Sequence, residues 1–207
     1  MATVAFRLPL SPSFDGTGLR SVIDVPLVAR QATQSRAATR HALGLPANRR
    51  LVLLSFGGYG LNDLDVAKAD CAADWDIVAT DRSVAAPHIR ALPFVHSIAE
   101  DALASVRYEN LVAAVDAVIT KPGYGIISEC TTAGTPMLYT SRGAFREYDV
   151  LVEEMPKYLR CAFLSQADLF AGRWRDALND VVAQPAPPRT LAPTGADEIA
   201  AKIAALL

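Results

Sequence analysis

Residues Val118–Tyr139 read VITKPGYGIISECTTAGTPMLY, and this stretch decides the fold. It opens on an apolar run and meets Lys121 and Pro122. It turns through Gly123-Tyr124-Gly125 and resumes as an apolar helix carrying one acid, Glu129. Gly134 stops that helix, and Pro136 opens a second apolar run. A strand, a glycine turn, a helix and another strand make the repeating unit of a parallel sheet. A hydrophobic core alone does not call for a lysine, a Gly-x-Gly and a lone carboxylate in the middle of it.

Working outward, the same alternation recurs. Short oily runs suited to strands buried on both faces lie at Arg50–Phe56, Trp75–Asp81, Leu92–Ile98, Asp116–Thr120, Pro136–Thr140 and Arg160–Leu164. Helical patterns are expected over Gln31–Leu43, from a cap at Asn62 or Asp63 to about Ala72, and over Tyr108–Val115 and Ile126–Ala133. Further helices are expected over Phe145–Tyr158, Ala171–Ala183 and Ala196–Leu207. The predicted class is α/β, a Rossmann-like open parallel sheet flanked by helices. It occupies residues 47–207. Residues 1–46 read as an extended linker or extension with one helix, because short apolar runs there mix with Pro, Ser and Gly.

Composition narrows the function. The 207 residues are 51% hydrophobic, and 20 basic against 22 acidic side chains leave a net charge of −2. No basic stripe marks a nucleic-acid surface, and the arginines between Arg30 and Arg50 read as a solvated helix face. No apolar run reaches the roughly 18 residues of a membrane span, and the start lacks a signal-peptide pattern, so the expected location is the cytoplasm. Cys71, Cys130 and Cys161 show no paired spacing, and His41, His88 and His96 no ligand spacing, so no metal site is expected.

Two glycine loops follow strand runs and lead into helices: Gly57-Gly58-Tyr59-Gly60 and Gly123-Tyr124-Gly125. Without a Cβ, such a backbone admits a phosphate to the free N–H groups of the next helix. Lys121 stands ready to neutralise a diphosphate, and Glu129, an acceptor-only carboxylate, suits the vicinal hydroxyls of a ribose. Neither loop is a Walker A sequence or a full GxGxxG fingerprint. Asp63-Leu64-Asp65 has the spelling of a metal-binding DxD but reads as a helix cap.

The stretch TKPGYGIISECTTAGTPMLY resembles the C-terminal, donor-binding domain of GT-B glycosyltransferases. The group is that of the peptidoglycan-precursor N-acetylglucosaminyltransferase and the plant galactolipid synthases. The resemblance rests on the Gly123–Gly125 loop, Glu129 and Gly134-Thr135-Pro136, and runs from about Arg50 to Val182. It implies that Gly57 and Gly58 lie against the donor diphosphate. Lys121, Gly123, Tyr124, Gly125 and Ile126 would hold that diphosphate, and Glu129 the ribose. Val106 and Arg107 would seat the base, and Arg146 and Glu147 would read the donor sugar. The implied substrate is a nucleotide-sugar, a UDP-sugar, with no further cofactor, in an inverting reaction without a metal.

The acceptor-binding half of such enzymes has no room in this chain. The expectation is therefore a fragment or a half-enzyme, a hexosyltransferase domain inactive without an acceptor-binding domain or partner chain. The catalytic base stays unassigned. The face its partner would cover offers a route to a homodimer. Two other functions fit the same scaffold: a UDP-sugar epimerase or hydrolase using His88 or His96, and a non-catalytic α/β interaction module.

Overall fold

The computed structural model describes residues 4–14, 17–19, 21–56, 64–80 and 91–205. Its centre is a six-stranded sheet of β3 (Arg50–Ser55), β4 (Trp75–Thr80), β5 (Val95–Ile98), β6 (Ala117–Thr120), β7 (Met137–Tyr139) and β8 (Cys161–Phe163). Every pairing is parallel, and the spatial order is β5-β4-β3-β6-β7-β8. The chain therefore builds outward from β3 to β5, returns to the other side of β3, and builds outward again to β8. That reversal lies between β3 and β6.

Alternation along the strands explains their composition. Val52 and Leu54 of β3 point into one core with Ile77, Ile119, Leu138 and Trp174. Leu51 and Leu53 point into a second, with Val78, Val118, Met137, Ile127 and Leu151. Both faces are covered, so the central strands are oily at successive positions, as in Leu51-Val52-Leu53-Leu54. The covering helices of the second face are α2 (Glu100–Val106), α3 (Tyr108–Ala114), α4 (Tyr124–Ala133) and α5 (Tyr148–Glu154), which contribute to its core or pack on it. On the first face lie α6 (Gln166–Ala171) and α7 (Arg175–Ala183).

The six strand expectations match β3 to β8 to within a few residues at each end. Several helices differ. The expected helix over Gln31–Leu43 is shorter, α1 (Arg36–Ala42), capped by Ser35, whose Oγ accepts from the Ala38 N–H at 3.2 Å. Residues 33 and 34 stay outside the helix, both N–H groups donating to Asn110 Oδ1 at 2.7 and 3.0 Å. The expected helix over Ala171–Ala183 is divided, because Gly172 takes φ +75° and closes α6 before α7 starts. The region read as a helix to Ala72 holds two 3₁₀ turns, Val66–Lys68 and Asp70–Ala73. Asp65 caps the first by accepting from the Ala67 N–H at 3.1 Å.

The arginines between 30 and 50 are a solvated face only in part: Arg30, Arg36 and Arg50 are exposed, but Arg40 is not. Arg40 is 4% exposed. It donates to the carbonyls of Ala114, Pro46, Ala47 and Arg49 and, at 2.9 Å, to Asp116. Arg36 also pairs with Asp116, and Arg49 pairs with Asp76 at 2.8 Å. Burial lowers the Arg40 pKa, and Asp116 opposes that.

The N-terminal segment is packed onto this unit. Strands β1 (Ala5–Arg7) and β2 (Val22–Asp24) form a small parallel pair. The fully buried Leu27 then lies beside the start of α8 (Gly195–Ala204), its N–H donating to Ala192 and its carbonyl accepting from Gly195. Among the described residues no helix is long and apolar enough to cross a membrane.

Candidate functional site

In an open parallel sheet, ligands collect outside the carboxyl ends of the strands where the strand order reverses. A cleft of about 830 Å³ opens at that point, between β3 and β6. Ser55 and Phe56 line it from the end of β3, and Thr120 and Lys121 from the end of β6. Gly123 to Ile126, the cap and first turn of α4, form one wall. Arg142, Phe145 and Glu147, from the connection between β7 and α5, form another. A more open depression of about 770 Å³ lies at the amino end of the sheet, around Arg49, Arg50 and Asn179. That end of a parallel sheet lacks the diverging loops, and Arg49 is already paired there with Asp76.

The wall at α4 follows from its sequence. Pro122 cannot continue the ladder of β6, and the chain leaves the sheet there. Gly123, the N-cap, is extended at φ −160°, a conformation any residue adopts. Its missing side chain matters for another reason: a Cβ there would lie 2.6 Å from Arg142 Nη1. At Gly125 a Cβ would meet nothing within 4 Å, so among the described residues no atom requires a glycine at that position. No side chain caps this helix, which leaves its first-turn N–H groups to the cleft.

Arg142 is held by two contacts. Its guanidinium carbon lies 3.9 Å from the centre of the Phe145 ring, and Nη1 donates to the Pro122 carbonyl at 2.7 Å. Below the cleft the Tyr108 hydroxyl is hydrogen-bonded to Ser55 Oγ, and Thr120 Oγ1 donates to the Ser55 carbonyl. Burial pushes the Tyr108 phenol well above its ordinary range, so it stays a neutral donor.

Glu129 lies on α4 beyond the lining residues and is 5% exposed. Arg30 Nε donates to Glu129 Oε1 at 2.7 Å, and Arg30 Nη2 donates to the same oxygen. Arg30 also lies 3.7 Å from Glu109, a second buried carboxylate, and 6.0 Å over the Tyr108 ring. Burial raises the Glu129 pKa, and Arg30 opposes the shift. Arg107 reaches Glu109 at 2.6 Å and sits at φ +71°, a left-handed conformation uncommon outside glycine. Val106, at the end of α2, is buried.

The structure therefore gathers Lys121, Gly123, Tyr124, Gly125, Ile126 and Glu147 around one cleft. Glu129, Val106 and Arg107 do not line it; Glu129, and Arg107 by way of Glu109, are linked through Arg30 to Tyr108, which bonds Ser55 at the cleft. Arg146 is exposed and does not line it. Gly57 and Gly58 lie outside the described residues, as does His88. His96, on β5 two strands from β3, holds Asp76 through Nε2 at 2.8 Å. The cysteines offer no nucleophile: burial raises Cys71 to about 12 and Cys161 to about 11, and pushes Cys130 up as well. Among the described residues no group of three His, Cys, Asp or Glu side chains is placed to hold a metal ion.

Sequence reasoning missed Arg142, Phe145, Ser55 and Arg30. Arg142 and Phe145 fall at i and i+3 in the connection between β7 and α5. Nothing in the sequence ranks Arg142 above Arg146. Their separation depends on where the β7 exit aims each side chain.

No protein-family model matches the chain. It is 28% identical over 165 residues to L-arabinokinase of Arabidopsis thaliana, a match covering 79% of this chain and 15% of that protein. It is 33% identical over 147 residues to UDP-N-acetylglucosamine--N-acetylmuramyl-(pentapeptide) pyrophosphoryl-undecaprenol N-acetylglucosamine transferase of Clavibacter michiganensis subsp. michiganensis (strain NCPPB 382). That match covers 61% of this chain and 37% of the relative. The chain thus spans well under half the length of either. Among solved structures, the glycotransferase of kitacinnamycin superposes with a TM-score of 0.58 at 21% identity, over 86% of this chain and 46% of that one. A six-stranded parallel sheet of this order, flanked by helices and superposing on this structure, gives the chain a GT-B glycosyltransferase-like fold.

Proposed function

We propose that this chain is the nucleotide-sugar-binding domain of a glycosyltransferase, that its donor is a UDP-sugar, and that a second domain or partner chain holds the acceptor. The observation that carries the reading is the cleft at the strand reversal, where Lys121 and the uncapped first turn of α4 converge. A diphosphate in this cleft meets cations and free N–H groups together. The uridine preference draws on the name of the bacterial relative, and the need for a partner on the share of its length that this chain spans.

In the reaction, an acceptor oxygen bonds to the anomeric carbon as the bond from that carbon to the diphosphate oxygen breaks. The acceptor proton passes to a base on the acceptor-holding part. The leaving diphosphate gains negative charge, and fixed donors aimed at it lower the barrier. Lys121 and the N–H groups of Gly125 and Ile126 fill that role here. Glu129 accepts from the ribose hydroxyls through Oε2, the oxygen that Arg30 does not use. The backbone at Val106 and Arg107 seats the base, and Glu147 and Arg146 read the sugar. Gly57 and Gly58 complete the proposed diphosphate-binding set. A second copy of the chain can cover the same face, and light scattering across a concentration series reads that directly.

Calorimetric titration of the chain with UDP, GDP, ADP and dTDP tests the reading. UDP is expected to bind below millimolar concentration and more tightly than the others. If no nucleoside diphosphate binds in that range, the reading is overturned. If ADP or GDP binds more tightly than UDP, the uridine assignment alone falls.

A further inference from the structure

We propose that Arg142 is the principal cation for the donor diphosphate, and that Gly123 is a glycine to leave room for it. The inference rests on the nucleotide-sugar reading and names the group that sets its phosphate selectivity. Among the described residues two cations line the cleft, Lys121 and Arg142. Arg142 is the pre-organised one: one face of its guanidinium rests on Phe145, and one N–H is spent on Pro122. Among the described residues it forms no salt bridge, so its charge and its remaining donors are left to the cleft. A planar fork with several parallel N–H groups matches phosphate oxygens two at a time, which a lysine cannot do.

The second half of the argument is steric. Gly123 is extended and its backbone needs no glycine. The nearest atom to a Cβ there is the terminal nitrogen of Arg142, at 2.6 Å. Any side chain at 123 therefore pushes the guanidinium off the cap of α4. The glycine in the loop serves the arginine from the next connection, while Gly125, with open space where its Cβ would stand, serves the ligand.

The test uses calorimetry with uridine, UMP and UDP on the wild-type chain, Arg142→Gln, Arg142→Lys, Lys121→Ala and Gly123→Ala. Arg142→Gln is expected to weaken UDP about 10- to 100-fold and uridine less than about twofold, the size of a lost charge-assisted pair. Arg142→Lys is expected to fall between, and Lys121→Ala to cost less than Arg142→Gln. Equal weakening of uridine and UDP would make Arg142 a mere staple of the loop and overturn the proposal, as would unchanged UDP binding. Gly123→Ala should weaken UDP in the wild-type background and have little further effect beside Arg142→Gln. An undiminished effect there means that residue 123 blocks the phosphate directly, and overturns the steric half. A wild-type chain that binds no UDP defeats the underlying reading instead, an outcome distinct from all of these.

Discussion

Arg30 and Glu129 are 99 residues apart in the chain, yet Arg30 Nε lies 2.7 Å from Glu129 Oε1. The arginine comes from the segment ahead of the sheet unit and the glutamate from the helix that walls the cleft. Arg30 also serves Glu109, so one half-exposed cation faces two buried carboxylates. Arg30→Ala strands Glu129 and leaves Glu109 with Arg107 alone. The cost is expected at about 1–3 kcal/mol, below that of a fully buried pair because water reaches the guanidinium. Glu129→Gln strands no charge and should cost less. The double variant should recover part of the Arg30→Ala loss. Urea melts of the three variants check this, and an Arg30→Ala midpoint equal to wild type would rule it out.

Glu129 also gives a pH prediction. Burial holds its folded-state pKa above the ordinary carboxylate range. A raised pKa means that the folded chain binds this proton more tightly than the unfolded chain. Its favourable contribution is therefore full below the unfolded value and is lost as pH rises through the folded one. Wild type should gain stability relative to Glu129→Gln on acidification from neutral pH into the carboxylate range. A stability difference that stays flat, or runs the other way, would show that Arg30 has outweighed burial.

Asp116 joins three elements at the amino end of the sheet. It accepts from Arg40 at 2.9 Å and from the Leu51 N–H at 2.8 Å, and it pairs with Arg36. Asp116→Ala leaves the buried Arg40 with carbonyl acceptors alone and the Leu51 N–H without its partner. The expected loss is about 3 kcal/mol. Asp116→Asn keeps an acceptor for Leu51 and should rank between that variant and wild type in denaturant midpoint. Equal midpoints for all three would show the network to be dispensable.

Two glycines separate backbone strain from packing. Gly134 takes φ +70° with nothing within 4 Å of a Cβ, so Gly134→Ala should cost about 1 kcal/mol, from conformation alone. At Gly195 a Cβ would overlap the Pro26 carbonyl and lie 2.9 Å from Val28 Cγ2. Gly195→Ala should therefore loosen residues 25–34 selectively. Hydrogen exchange there should quicken in this variant and stay unchanged in Gly134→Ala. Identical exchange in both would contradict the packing assignment.

The strands were legible because two-sided burial leaves a local mark. Leu51-Val52-Leu53-Leu54 can only sit where both faces are covered, and Pro122, Gly134 and Pro136 mark where the chain leaves and re-enters the sheet. The glycine loop was legible as one wall of a cleft for the same reason. What stayed hidden depends on partners distant in sequence. Arg40 looks like a surface arginine until four carbonyls and Asp116 surround it. Glu129 looks like an open carboxylate until Arg30 arrives from the other end of the chain. Gly172 looks like a tolerated helical glycine, but the Lys68 backbone occupies the space a Cβ would need. Arg142 is invisible as a site residue until Phe145 and Pro122 fix its direction.

The segment leading into α1 is moored at three places: Leu27 against Ala192 and Gly195, Arg30 against Glu129, and residues 33 and 34 against Asn110. Moorings at several points make it a tie-rod running from the last helix, past the wall of the cleft, to α3. Tension in this segment reaches α8 at Leu27 and the wall of the cleft at Arg30. Arg30 thus couples strain in the N-terminal segment to the helix that frames the cleft.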